Sequence, residues 1–257
     1  RSGHGGAVTL TIADMEELRK IPGVTDVGWA RRDAMQVIHE NKNWFTTVNG
    51  VTPGYLVIRG WSTVSGDFFT QTDNDSAAKV ALIGSTVAEN LFGPGEDPVG
   101  ATIRLKNIPF KVVGKLIAKG YDTRGSDQDD VVFIPFSTAE RKVMGTRFMG
   151  SIGAGFLSAE TPEEMASIVD EVKRVLRQRH KLRPNQDDDF TVRNQLDTAK
   201  IQEGTSESMK LLLLAVASIS LLVGGIGIMN ILLVSVTERT REIGIRMAVG
   251  AKRRHIL

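Results

Sequence analysis

Residues Leu211 to Thr237 read LLLLAVASISLLVGGIGIMNILLVSVT, a run of 27 residues without one charged side chain. As a helix it rises about 40 Å, and roughly 20 apolar residues are enough to cross a bilayer core about 30 Å thick. Helices buried in soluble cores seldom run so far without a polar face. The stretch predicts a single transmembrane α-helix, and the rest of the chain takes its place from it.

Its flanks predict its direction. The twenty residues before Leu211 hold only Arg193, Lys200 and Lys210 as cations. After Thr237 come Arg239, Arg241, Arg246, Lys252, Arg253 and Arg254, against the acids Glu238 and Glu242. Lys and Arg gather on the cytoplasmic side of a span. Residues 1–209 are therefore expected outside the cytoplasm and residues 238–257 inside it.

Overall composition conceals the span. The chain has net charge +2, 41% hydrophobic and 24% charged residues, an ordinary globular profile. Such a balance gives no argument for a nucleic-acid partner. With no cysteine, disulfides, thiolate nucleophiles and cysteine metal sites are excluded. The chain opens Arg1-Ser2-Gly3-His4-Gly5-Gly6, without a methionine or an apolar leader. An external domain must be led across the membrane, so the sequence is expected to be a fragment that enters just after a first span.

The external part reads as follows. After the flexible lead-in Gly3 to Gly6, Thr11 to Lys20 predicts a short helix, with Thr11 as cap and Asp14 three residues on. Val24 to Ile38 and Asn43 to Arg59 carry strand character. Ser65-Gly66-Asp67 and Asp73-Asn74-Asp75 read as turns, Lys79 to Ile83 as a buried strand and Ser85 to Phe92 as a helix. Ala101 to Leu105 and Phe110 to Ile117 predict a hairpin turning at Lys106-Asn107. A polar loop, Lys119 to Asp130, precedes a strand at Val131 to Pro135. Ser151 to Ser158 reads as another strand. Thr161-Pro162-Glu163-Glu164 predicts the start of a helix that continues through Met165, Ile168, Val172 and Leu176. Phe190 to Arg193 reads as a closing strand, and Asp197 to Met209 as a polar helix leading into the span.

The fold class is thus α+β: a discontinuous α/β subdomain (1–61 with 149–195) with an inserted β-rich subdomain (62–148), followed by a connecting helix (196–210), the single transmembrane α-helix (211–237) and a cytoplasmic segment (238–257).

Catalytic chemistry is hard to find. No Gly-x-x-x-x-Gly-Lys-Ser/Thr loop cradles a nucleotide, and Gly225-Ile226-Gly227 lies inside the span. His4, His39, His180 and His255 have no metal-ligand spacing. Asp73/Asp75, Asp127/Asp129/Asp130 and Asp187-Asp188-Asp189 match no EF-hand and read as solvated loop acids. The predicted helix after Thr161 carries Lys173, Arg174, Arg177 and Arg179, which fit either an anionic-ligand face or a solvated surface. No metal and no catalytic residue is assigned. Two features carry more. Ser220, Gly224 and Gly227 recur at i, i+4 and i+7, a small-residue face that lets another helix approach closely, and Asn230 also prefers a protein partner to lipid. In the tail, Ile243, Met247 and Ala251 recur on one side and charges on the other. That periodicity fits a headgroup anchor and a partner-docking helix equally.

Gly224-Gly225-Ile226-Gly227-Ile228-Met229-Asn230, leading into Val236-Thr237-Glu238-Arg239-Thr240-Arg241-Glu242-Ile243-Gly244-Ile245-Arg246, resembles the second-span and coupling region of MacB-like ABC transporter permeases. Asp127-Gln128-Asp129-Asp130-Val131 and Asp189-Phe190-Thr191-Val192-Arg193-Asn194 resemble external-domain motifs of that family, so the likeness covers nearly the whole chain. It implies a homodimer with four spans per subunit in the bacterial inner membrane and a two-part periplasmic domain between spans one and two. By the same resemblance, Glu238, Arg239, Arg241, Glu242, Ile243 and Arg246 meet an ABC ATPase domain or subunit, which binds ATP and Mg in place of this chain. A periplasmic membrane-fusion adaptor is an implied partner, and drugs, peptides or lipid-linked molecules are the implied cargo. The rival readings are a lipoprotein-release permease, an ATP-independent membrane-anchored sensor or scaffold and, weakest, an external hydrolase.

Overall fold

The computed structural model describes residues 10–122, 125–145 and 150–250, with the backbone alone described over 195–208. Residues 10–192 belong to one compact unit and residues 193–250 to a second. His4, Ala251 and His255 lie outside the described residues.

Helix α1 (Ile12–Leu18) starts at a capping box. The Asp14 carboxylate accepts the Thr11 amide at 2.9 Å, and the Asp14 amide donates back to the Thr11 hydroxyl at 3.3 Å. Strands β1 (Val24–His39) and β2 (Lys42–Val51) form a long antiparallel pair. The strand character read through Arg59 ends early, because residues Pro53–Ile58 form helix α2. Pro53 stands at its start, where the missing N–H costs nothing. The Thr52 hydroxyl accepts the Trp29 amide at 3.1 Å and so ties α2 to β1.

Two stretches read as turns are also regular. Thr63–Gly66 is an edge strand, β3, and Gln71–Asp75 is helix α3. Asp73 closes a second capping box, accepting the Thr70 amide at 2.7 Å. An Asp-rich run that opens a helix looks like a turn when its cap is overlooked. Strand β4 (Val80–Ile83) and helix α4 (Ser85–Leu91) follow as expected. The hairpin of β5 (Thr102–Leu105) and β6 (Ile108–Leu116) turns at Lys106-Asn107, both at positive φ, as a two-residue primed turn requires. Strand β7 (Val131–Pro135) leads into a short helix α5 (Phe136–Thr138) and a π-helical turn, Ala139–Met144.

The pairing path β2-β7-β4-β6-β5-β1 returns to β2, so these strands close a ring, with β3 added outside on β6. The six strands of the ring contribute to one apolar cluster, with Met35, Val48, Ile83, Leu105, Phe110 and Val132 among its members. Strand β8 (Ala154–Ala159) extends the sheet along the first half of β1. It begins later than the sequence suggests, because Ser151 makes only an isolated bridge with Thr11. Helix α6 (Met165–Arg179) likewise starts one turn late, since 162–164 form a turn that leads into it. Its Ile168, Val172 and Leu176 pack with Met15, Leu18 and Trp29 in a second cluster. The closing strand expected at Phe190 to Arg193 is absent. Phe190 and Val192 add their side chains to that second cluster without joining a ladder.

Helix α7 (Gln195–Ala248) is unbroken over 54 residues, a rise of about 80 Å. The connecting helix, the apolar stretch and the tail as far as Ala248 are thus one element.

Candidate functional site: helix α7 and the charged lock on α1

Among the described residues, the stretch Met209–Ala248 is the one helix long and apolar enough to cross a membrane, with mean hydropathy 2.5 in its best window. Its large apolar side chains are bare: Leu221 is 79% exposed and Ile231 71%. In water such a surface is costly; in lipid it is matched. The hydroxyls inside the span donate to carbonyls one turn back, Ser218 to Leu214 at 2.8 Å and Ser220 to Val216 at 2.9 Å. That removes their need for water.

The sequence-predicted residues all lie on this helix and are exposed, except Ile243, which is half-buried. At about 100° per residue, Ser220, Gly224 and Gly227 fall within about 60° of arc, with Asn230 about 60° beyond Gly227. A Cβ added at Gly224 or Gly227 meets nothing within 4 Å. In the tail, Glu238, Glu242 and Arg246 follow at i, i+4 and i+8, flanked by Arg239 and Arg241. Arg246 bonds Glu242 at 2.5 Å. Ile243 sits apart, on the adjoining face. Glu238 stands about five whole turns from Ser220, so the small-residue face and the line of charges share one side of the rod.

In the unit of residues 10–192, the acids of the loop before β7 make structural bonds. Asp129 accepts the amides of Lys119 and Gly120, both at 2.8 Å, Asp127 accepts the Thr86 hydroxyl at 2.7 Å, and Asp130 accepts the Trp44 indole N–H at 2.8 Å. Three of the four cations on α6 are engaged within the chain. Arg174 pairs with Glu171, Arg177 binds Asp188 and the carbonyls of Arg183 and Gln186, and Arg179 donates to Asp14 at 2.5 Å. Among the described residues, no three His, Asp or Glu come together as metal ligands.

Sequence reading missed one cluster. Asp14, seen only as a cap, is buried and also bonds Arg179 and His180, and His180 reaches Asp189. Burial pushes the Asp14 carboxyl up, but Arg179 and Thr11 outweigh it and hold the group below its ordinary value. No local pattern marks residues 166 positions apart; only the fold joins them.

With this geometry in view, comparison with known proteins is decisive. Residues 1–175 match the model of the MacB-like periplasmic core domain, and residues 214–257 match the FtsX-like permease C-terminal model. The chain belongs to the MacB-like family. A MacB-like relative from Rhodospirillum rubrum, the macrolide export ATP-binding/permease protein MacB, is 45% identical over 98% of this chain. The pyoverdine export ATP-binding/permease protein PvdT of Pseudomonas putida is 38% identical over 96%. The chain spans 38% and 37% of the lengths of these two relatives. The fold matches the periplasmic region of MacB from Actinobacillus actinomycetemcomitans with TM-score 0.62 and 22% identity, over 79% of this chain and 86% of that one. It also matches the extracellular domain of the noncanonic ABC-type transporter YknZ from Gram-positive bacteria, with TM-score 0.61 and 22% identity, over 73% and 90%. This MacB-like chain therefore joins a region matching the periplasmic core domain to a region matching the FtsX-like permease C-terminal model.

Proposed function

We propose that this chain is the permease part of an ABC-type exporter, and that it couples ATP hydrolysis on a nucleotide-binding domain outside these residues to movement of its external domain. The observation that carries the reading is helix α7. One uninterrupted rod runs from Gln195 through the apolar span to the charged tail. A helix resists bending and stretching, so a displacement imposed at Glu238 to Arg246 arrives at the other end of the rod with little loss. Intervening loops would absorb it.

On this reading residues 1–209 lie in the periplasm, the span crosses the inner membrane, and 238–257 are cytoplasmic. Glu238, Arg239, Arg241, Glu242, Ile243 and Arg246 contact the ATPase domain or subunit, which holds the ATP and Mg. Ser220, Gly224, Gly227 and Asn230 face another span, within the same subunit or across a homodimer. Segments 1–61 and 149–195 form the flanking α/β portion and 62–148 the inserted portion, joined through β1, which pairs with both β8 and β5, and through β2, which pairs with β7. A membrane-fusion adaptor engages the external domain. The cargo is a drug, a peptide or a lipid-linked molecule.

The test is ATPase coupling in the complete membrane protein. Glu238→Ala, Arg241→Ala and Glu242→Ala together are expected to abolish stimulation of, or co-purification with, the ATPase while the span remains inserted. A permease that keeps full coupling with all three changed, or that associates with no ATPase, overturns the proposal.

A further inference from the structure

Residues 59–62 and 117–119 run side by side at one end of β3. The Ile117 amide donates to the Ser62 carbonyl at 2.8 Å, and the Lys119 ammonium donates to the Arg59 carbonyl at 2.7 Å. Lys119 also lies over the Trp61 ring, 4.2 Å from its centroid. Trp61 meets Phe133 edge-on at 5.2 Å between centroids, and Tyr55 meets Phe133 and Phe156 in the same way at 5.8 and 5.0 Å. Four rings thus stand together next to Lys119 and Arg59.

Charge is unbalanced at this place. Burial pushes the Tyr55 phenol up, and the positive charges of Arg59 and of Arg32 on β1 both act against it. Burial and the neighbouring Arg59 charge push the Lys119 ammonium down, with Asp129 opposing them. Asp129 is already engaged: it is 4% exposed and accepts the amides of Lys119 and Gly120. Arg32, Arg59 and Lys119 are all exposed, and none of them forms an ion pair among the described residues. Cations gathered in this way repel one another, and an anion placed among them removes that cost.

The same surface is apolar and has an open edge. Val64 is 67% exposed and Ile117 44%. Strand β3 pairs with β6 alone, so its far edge meets no other strand among the described residues. Unpaired backbone groups on such an edge accept a further strand. Phe190 and Val192 pack with Trp29 and Leu157 on the other face of β1 and β8, and leave this one uncovered.

We propose that this surface docks an extended, acidic segment of a partner protein as a strand added to β3. Carboxylates of the segment answer the three cations, its apolar side chains cover Val64 and Ile117, and its backbone bonds the free edge. A phosphate or a lipid headgroup would answer the cations but leave the edge and the apolar side chains bare. The docking is separate from ATPase coupling and holds whatever the tail at Glu238 to Arg246 meets.

The full chain in phosphatidylcholine nanodiscs tests this. A peptide of about ten residues alternating Glu and Val is expected to bind, to slow hydrogen exchange of amides 62–66 and to bind less as salt rises. The same peptide with Lys for Glu is expected not to bind. With Pro for Val it is expected to bind more weakly, because Pro has no N–H to give the edge. Arg59→Gln together with Lys119→Gln lowers the affinity about tenfold, whereas Lys173→Gln, on α6, leaves it unchanged. If the double variant does not fold, Arg32→Gln decides, with a severalfold loss expected. No binding of the Glu-Val peptide, no slowing of amides 62–66, equal binding of either control peptide, or an affinity indifferent to the cation changes overturns the proposal. Slowing of the same amides by phosphatidylglycerol vesicles and not by the peptide makes this a lipid surface and overturns it as well.

Discussion

A Cβ placed on Gly28 would stand 2.3 Å from the backbone nitrogen of Tyr55: β1 and α2 meet backbone to backbone. The relation is mutual, because a Cβ on Gly54 would stand 2.3 Å from the Val27 carbonyl oxygen. Neither neighbour is a flexible side-chain tip that swings away. Gly28→Ala is therefore expected to destabilise the external unit by about 1–3 kcal/mol, as overpacking does. A lower urea midpoint with an unchanged slope is the expected signature. An unchanged midpoint contradicts the contact.

Asp129 is 4% exposed and holds two backbone amides, those of Lys119 and Gly120. Its own amide donates to Asp127, so the loop between β6 and β7 is hung on a chain of carboxylates. Hydrogen bonds to a charged acceptor contribute about 1.5–3 kcal/mol each, and stranding the donors costs more than losing the bond. Asp129→Ala is expected to cost about 2–4 kcal/mol, with exchange of the Lys119 and Gly120 amides rising first. Asp73→Ala, at an exposed cap, is expected to cost only about 1 kcal/mol. Equal losses from the two changes would show that burial of Asp129 does not matter.

These contacts show why some of the molecule was legible and some was not. The span, the Lys106-Asn107 hairpin and the Thr11 cap are written in consecutive residues, and each follows from composition or a short rule. Pro53 opened a helix where β-branched neighbours suggested a strand, because a Pro at the first helical position and a Pro that breaks a strand look alike locally. Phe190 and Val192 alternate like a strand yet find no ladder, since side-chain burial and backbone pairing are separate requirements. The Asp14, Arg179, His180 and Asp189 cluster was illegible for a different reason: Asp14 reaches Arg179 and His180 through the packing of α1 against α6, and Asp189 reaches His180 through the fold-back of the stretch after α6. The placement of Glu238 to Arg246 on the tail follows from helical periodicity, whereas what that face meets depends on chains outside these residues.

The Asp14 carboxyl sets an acid limit on stability. Held below its ordinary value by Arg179 and Thr11 against the opposing effect of burial, it contributes stability that is present above the unfolded pKa, near 3.8. That contribution is lost as pH falls through the lower, folded pKa. Urea unfolding of the chain and of Asp14→Asn is expected to differ most at neutral pH and to converge under strong acid. A difference that persists undiminished at about pH 2 contradicts the assignment.

Gly224 and Gly227 invite the opposite experiment, in which the chain itself should gain. A side chain at either position meets nothing within 4 Å in this chain. Leucine is a better helix former than glycine, by somewhat under about 1 kcal/mol, and it also favours membrane insertion. Gly224→Leu and Gly227→Leu should therefore insert as well as the unmodified span or better. If this face packs closely on another span, the same changes push that backbone away. Cross-linking between spans and ATPase coupling are then expected to drop together. Gly225→Leu, about 100° around the helix from Gly224, adds the same bulk on another side and is expected to leave both intact. Identical behaviour of all three variants would mean that Ser220, Gly224 and Gly227 do not mark a packing face, and that the shared azimuth of these residues and Glu238 carries no mechanical meaning.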